Sequence, residues 1–179
     1  MTTTILIIIA TCIVSFLGFK NYAIFDQLKH FPSIEHQDKS YYRWLTGGFL
    51  HGDEMHLFVN MYVFYMFGTY VEYFIKSSSY AQFGSIIFLV LYLLIIAMAN
   101  IPTYFKYKNS TFFSSVGASG GVTGLVFIYI LLNPWEMLYL FLQFLSQQYC
   151  LECFTCGIRV GLLIKTGITL IIMAIFLEH

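Results

Sequence analysis

The sequence predicts an all-α, polytopic membrane protein: one domain over residues 1–179, built as a bundle of six helices with a long interfacial loop after the first. Two observations carry this. Hydrophobic residues make up 59% of the chain and charged ones only 10%, with a mean hydropathy of +0.75, a balance that no soluble domain of this size shows. Six apolar runs of spanning or near-spanning length follow one another, at about 4–19, 55–75, 80–99, 118–133, 135–150 and 158–177. Nine basic and nine acidic residues cancel, which leaves no electrostatic footprint for a nucleic acid.

The first run, from Thr2 to Phe19, lacks a basic leader and a small-x-small cleavage site, so it reads as a retained span with Cys12 as a small buried apolar residue. Lys20 to Leu50 then forms a long loop that holds four of the nine basic residues and is broken by Pro32. Its many aromatics predict that it rests in the membrane interface. The other loops carry too few Lys and Arg to orient the chain across a bilayer.

The fourth run is the shortest. From Ser119 to Asn133, before Pro134, there are about 15 residues, or roughly 22 Å of helix against a hydrocarbon core of about 30 Å. If the far end of this helix reaches one interface, Ser119 lies below the opposite surface, where irregular backbone is tolerated only under protein or around a wet cavity. It sits in Val116-Gly117-Ala118-Ser119-Gly120-Gly121, a loop turning into a helix. Free N–H groups and the positive helix end can hold a developing oxyanion there. The competing reading is that Gly117, Gly120 and Gly121 only mark close helix packing.

Leading into the second run is His51-Gly-Asp-Glu-Met-His56-Leu-Phe-Val-Asn60. His56 and Asn60 are four apart and share one helix face. Polar side chains at membrane depth are costly and point to a site, with an interhelical hydrogen bond as the plainer alternative. Both offer N–H donors suited to an oxyanion. His51 and His56 are five apart, off a common face and without a carboxylate at ligand spacing, so no metal is expected. Cys150, Cys153 and Cys156 have C-x2-C-x2-C spacing, but they lie in an apolar segment without a partner cluster. No cofactor is expected.

Together these residues resemble the rhomboid intramembrane serine proteases. Tyr42-Arg43-Trp44-Leu45-Thr46-Gly47-Gly48-Phe49-Leu50-His51 resembles the end of that family's first loop. His51, His56 and Asn60 match its H-x4-H-x3-N, Gly68-Thr69-Tyr70-Val71-Glu72 its G-x-x-V-E, and Gly117-Ala118-Ser119-Gly120 its G-x-S-G. The resemblance covers about residues 4–142. It implies a multi-pass protein of the bacterial inner membrane, with Ser119 as nucleophile and an oxyanion hole formed by His56, Asn60 and the Ser119 amide. It also implies that His51 holds the first loop, and that the partners are the lipid bilayer and transmembrane protein substrates cut near one interface.

The tail, 143–179, departs from the pattern. The family's serine is activated by a histidine on the sixth helix, and a hydroxyl is a weak nucleophile without such a base. No histidine occurs between Asn60 and Glu178, and His179 lies past the apolar end. A one-base slip in reading frame near residue 143 accounts for this. Cys156–Gly161 then back-reads as Trp-Tyr-Ser-Ser-Gly, and Ile172–His179 as His-Gly-His-Phe-(Phe or Leu)-Gly-Ala, which contains the missing H-x-x-G. Every isoleucine codon back-reads as a polar residue or tyrosine, so polarity alone proves nothing, but the Met173–Ala174 junction yields only glycine. A vector-derived Leu-Glu-His ending would explain the last three residues alone. Three functional classes follow: a serine protease by descent whose written chain lacks its base, a pseudoprotease that binds transmembrane helices, and a metal- or haem-binding subunit. For the third, only His56 has the depth.

Overall fold

The computed structural model describes residues 2–135 of a chain that separates into two compact units, Met1–Phe127 and Ile128–His179. The described residues are helical, without strands: α1 (Thr3–Lys20), α2 (Tyr22–Leu28), α3 (Pro32–Asp38), α4 (Arg43–Thr46), α5 (Glu54–Lys76), α6 (Gly84–Tyr107) and α7 (Ser119–Leu132). The first four apolar runs thus appear as α1, α5, α6 and α7. The fifth and sixth runs, the three tail cysteines and the departing tail lie outside the described residues. Two segments, Thr3–Lys20 and Ala81–Tyr107, are long and apolar enough to cross a membrane by length and composition. At 23 residues α5 is long enough, but its sequence includes His56, Asn60 and Glu72. The shortness expected of the Ser119 helix is observed, since α7 has 14 residues.

Helix α1 is polar on its inner face. Its buried residues are Thr3, Thr4, Ile7, Thr11, Ser15 and Gly18, at helical spacing, while Leu6, Ile13 and Phe16 are exposed. That pattern suits a bilayer, where apolar side chains need no protein cover and small or hydroxyl-bearing ones let helices approach. Cys12 lies one residue off this stripe and is half-buried, not buried as expected, because Thr11 and Ser15 take the inner face.

One carboxylate locks α1 to α5. Glu72 is buried and accepts from the backbone N–H groups of Thr3 (2.8 Å) and Thr4 (2.9 Å), from Thr4 Oγ1 (2.6 Å) and from Lys76 Nζ (2.6 Å). The first N–H groups of a helix lack intrahelical acceptors, and Glu72 supplies two of them across the helix pair.

Behind this lock, Phe64 of α5 packs on Tyr92 of α6 with ring centroids 4.7 Å apart. Helix α7 lies close against α6. A Cβ at Gly120 would come within 2.6 Å of Ala99 Cβ, one at Gly121 within 2.6 Å of Tyr92 Cε2, and one at Gly124 would collide with Ile95. The packing reading of Gly120 and Gly121 therefore holds, and side chains of α6 occupy the space.

The segment read as a long loop is largely helical, as α2, α3, α4 and a 3-10 turn at Gly47–Phe49. Pro32 starts α3 at its first position, where its missing N–H costs nothing and its fixed φ already suits a helix. Helices of four to seven residues are too short to show a hydrophobic period.

Candidate active site

Three anchors set the backbone just ahead of Ser119. Ser115 exchanges both backbone hydrogen bonds with His30, at 2.9 and 3.1 Å, the only isolated β-bridge among the described residues. Gly117 N donates to Gly47 O at 3.0 Å, and Ala118 N donates to His51 Nε2 at 3.3 Å. Ala118 O then accepts from Val122 N at 2.8 Å, closing the first turn of α7, so Ser119 is its first residue. Its amide and those of Gly120 and Gly121 have no intrahelical acceptor.

Gly117 has φ +132°, a conformation that side-chain-bearing residues rarely adopt. The room its missing side chain leaves is filled by a histidine. A Cβ there would sit 3.0 Å from His56 Cε1, 3.3 Å from His56 Nε2 and 3.8 Å from the Ser119 backbone nitrogen. The imidazole and the Ser119 amide therefore flank one point.

The start of α5 places His56. Asp53 caps the helix by accepting from His56 N at 2.7 Å, which sets the ring in the first turn. Asn60 follows one turn deeper, buried, and its Nδ2 donates to His56 O at 3.0 Å. An amide nitrogen has two hydrogens and this bond uses one. The shared face expected for His56 and Asn60 is present.

His51 precedes α5 and is fully buried. Its tautomer follows from its neighbours. Ser15 Oγ donates its one hydrogen to Phe49 O (3.0 Å), so at 3.0 Å from His51 Nδ1 it accepts, and Nδ1 carries the proton. Nε2 is then the acceptor that Ala118 N–H requires. Burial, followed by the neighbouring His56, pushes the His51 pKa down from 6.5 to about 3 and keeps the ring neutral. With both nitrogens committed, His51 orients the site. The His51 and His56 rings lie edge to face, centroids 5.1 Å apart; they adjoin because His51 is outside the helix, a possibility that helix spacing alone does not reveal.

The structure thus brings His56 against Gly117 and His51 against Ala118, beside Ser119, with Asn60 one turn below His56 and Gly120 turned to α6. Among the described residues no histidine ring is hydrogen-bonded to the Ser119 hydroxyl. His30 Nδ1 pairs with Glu35 Oε1 at 2.8 Å and His36 Nδ1 with Tyr104 OH at 3.0 Å. Sequence reasoning missed Ser15, whose signal was available: it continues the Thr4, Thr11 hydroxyl stripe along the inner face of α1.

The Rhomboid domain model matches residues 38–175, and the chain belongs to the rhomboid family of integral membrane proteins. Among known proteins it is similar to Rhomboid protease GlpG of Haemophilus influenzae, 29% identical over 132 residues, or 72% of this chain and 63% of that protein. The chain thus spans under two thirds of that relative's length. The family match runs on through residues 143–175, past the point where the sequence motifs stop.

Proposed function

We propose that this chain is, by descent, an intramembrane serine endopeptidase that cleaves transmembrane segments of membrane proteins, built as a six-helix bundle in one rhomboid-like domain, 1–179. In this reading Ser119 Oγ attacks the scissile carbonyl carbon. The carbonyl oxygen gains negative charge and is held by the Ser119 amide, His56 and Asn60. The hydroxyl proton must pass to a base and then to the leaving amine as the C–N bond breaks. The observation that supports this most is the His56 ring lying against Gly117, two residues ahead of Ser119. Donors held in place before charge develops need no reorganisation when it does.

The base is the part this chain lacks. His30 and His36 are turned to Glu35 and Tyr104 and both His51 nitrogens are committed, while this reading gives His56 to the oxyanion. A base restored by the shifted frame at the sixth run completes the dyad. The absent base also favours a second reading for the polypeptide as written, a pseudoprotease that binds transmembrane helices with Ser119 as a relic.

Reconstituted in liposomes with a transmembrane substrate, the frame-restored chain is expected to cleave and the written chain to be inactive or nearly so, with Ser119→Ala abolishing what cleavage there is. Cleavage by the written chain that Ser119→Ala removes would contradict the missing-base account. Cleavage untouched by Ser119→Ala would contradict the nucleophile.

A further inference from the structure

The backbone ahead of Ser119 cannot hold itself. It has no regular structure and passes through a left-handed glycine, so its position comes from what it is bonded to. Two of its three anchors, His30 and Gly47, are far apart in sequence, yet both trace back to one buried side chain.

Glu35, on α3, is fully buried. Its Oε1 accepts from His30 Nδ1 (2.8 Å) and from Phe31 N (2.7 Å), and its Oε2 accepts from Trp44 Nε1 (2.9 Å). In the Phe31 bond an acidic side chain one turn into α3 reaches back to the N–H of the residue before the helix, which has no intrahelical acceptor. The His30 bond fixes the residue that pairs with Ser115. The Trp44 bond fixes α4, whose C-cap is Gly47, the acceptor for Gly117 N. Gly47 in turn lies hard against His30, since a Cβ on it would be 2.9 Å from the His30 nitrogen. One carboxylate thus gathers both strands of contact that hold residues 115 and 117.

We propose that Glu35 is a positioning residue for Ser119: through His30 and Trp44 it sets the three backbone bonds that place the Ser115–Gly117 segment against His56. It touches no substrate and carries no proton for the reaction. The proposal rests on the protease reading only for its consequence in catalysis; the structural coupling stands by itself. Glutamine is the informative substitution, because it keeps the shape and puts an NH2 donor where a carboxylate oxygen met donors.

Hydrogen exchange of the purified 179-residue chain in detergent tests the coupling directly. In Glu35→Gln the amides of Ser115 and Gly117 are expected to exchange about tenfold faster or more, while those of Thr3, Thr4 and mid-α5 keep their protection. Glu72→Gln, which weakens the opposite end of the helix pair, serves as the stability control and should leave 115–117 protected. Trp44→Phe removes one donor only and should loosen Gly117 more than Ser115, which keeps the test open should Glu35→Gln fail to fold. Unchanged protection at 115 and 117, in Glu35→Gln or in Trp44→Phe should the first not fold, would overturn the proposal. So would loosening that spreads equally over α1 and α5, or that Glu72→Gln reproduces. In the frame-restored chain Glu35→Gln should lower kcat at least about tenfold with KM within about twofold, the pattern of a displaced nucleophile. A frame-restored chain that cleaves nothing removes the protease reading and leaves the exchange result to decide the coupling.

Discussion

The Met1–Phe127 unit is held at its two ends by two buried carboxylates that do different work. Glu72 binds the start of α1 and a lysine one turn along its own helix, so it joins two regular elements that already have a shape. Glu35 binds a histidine, a loop amide and a tryptophan, and so gathers short helices and irregular backbone. At the Glu72 end, loss of the carboxylate is a loss of stability. At the Glu35 end it is a loss of position, and Ser119 is at that end.

The sharpest way to separate the ends is Glu72→Ala. Removing one partner of a buried charged network leaves donors without acceptors, and a cost of about 3–5 kcal/mol is expected in unfolding measurements in detergent. The His51 tautomer should not change. A cost below about 1 kcal/mol would erase the distinction between the ends.

Gly117→Ala comes next. A side chain at φ +132° is strained and its Cβ would press on His56 Cε1. A cost of about 1–3 kcal/mol is expected, with loss of site function out of proportion to it. Full cleavage by this variant in the frame-restored chain would show that the His56 and Ser119 geometry is unimportant.

Ser15→Ala should cost about 1 kcal/mol. Its distinctive effect is on His51, whose Nδ1–H loses its acceptor. The imidazole nitrogen shifts read by NMR should move from one tautomer toward a mixture. An unchanged spectrum would remove Ser15 from the relay.

Near neutral pH the smallest effect is pH dependence. The folded His51 pKa is depressed from 6.5 to about 3, so the unfolded chain binds a proton more readily. Stability from this group is fully present above about pH 6.5 and declines as pH falls from there toward about 3. His51→Asn should flatten that part of the profile, and an equally steep slope without His51 would assign it to another group.

Much of this arrangement was legible in the sequence. Ser119, His56, Asn60 and Gly117 stood out because polar and glycine residues in apolar runs are rare, and the helix spacing of His56 and Asn60 was readable directly. Glu72 was readable through the family pattern at 68–72. Glu35 and Ser15 were not picked out, for different reasons. Glu35 lies in a polar, aromatic segment where one more acidic residue carries no contrast, and its partners are up to nine residues away through short helices without a period. Ser15 lies on a stripe of hydroxyls that looks like packing until its partner His51 is placed beside it. The approach of His51 to His56 was hidden because helix spacing says nothing of a residue just outside the helix. Gly120 and Gly121 had two readings, and only the position of α6 separates them.

Covalent labelling tests the nucleophile most directly. With the frame-restored chain in native membranes, a fluorophosphonate should attach to Ser119, identified by mass spectrometry of the peptide that contains it. The 179-residue chain as written, which has no histidine between Asn60 and Glu178, should label weakly or not at all, and Ser119→Ala should abolish labelling. Equal labelling of the Ser119→Ala variant, or a label carried on another residue, would contradict the account.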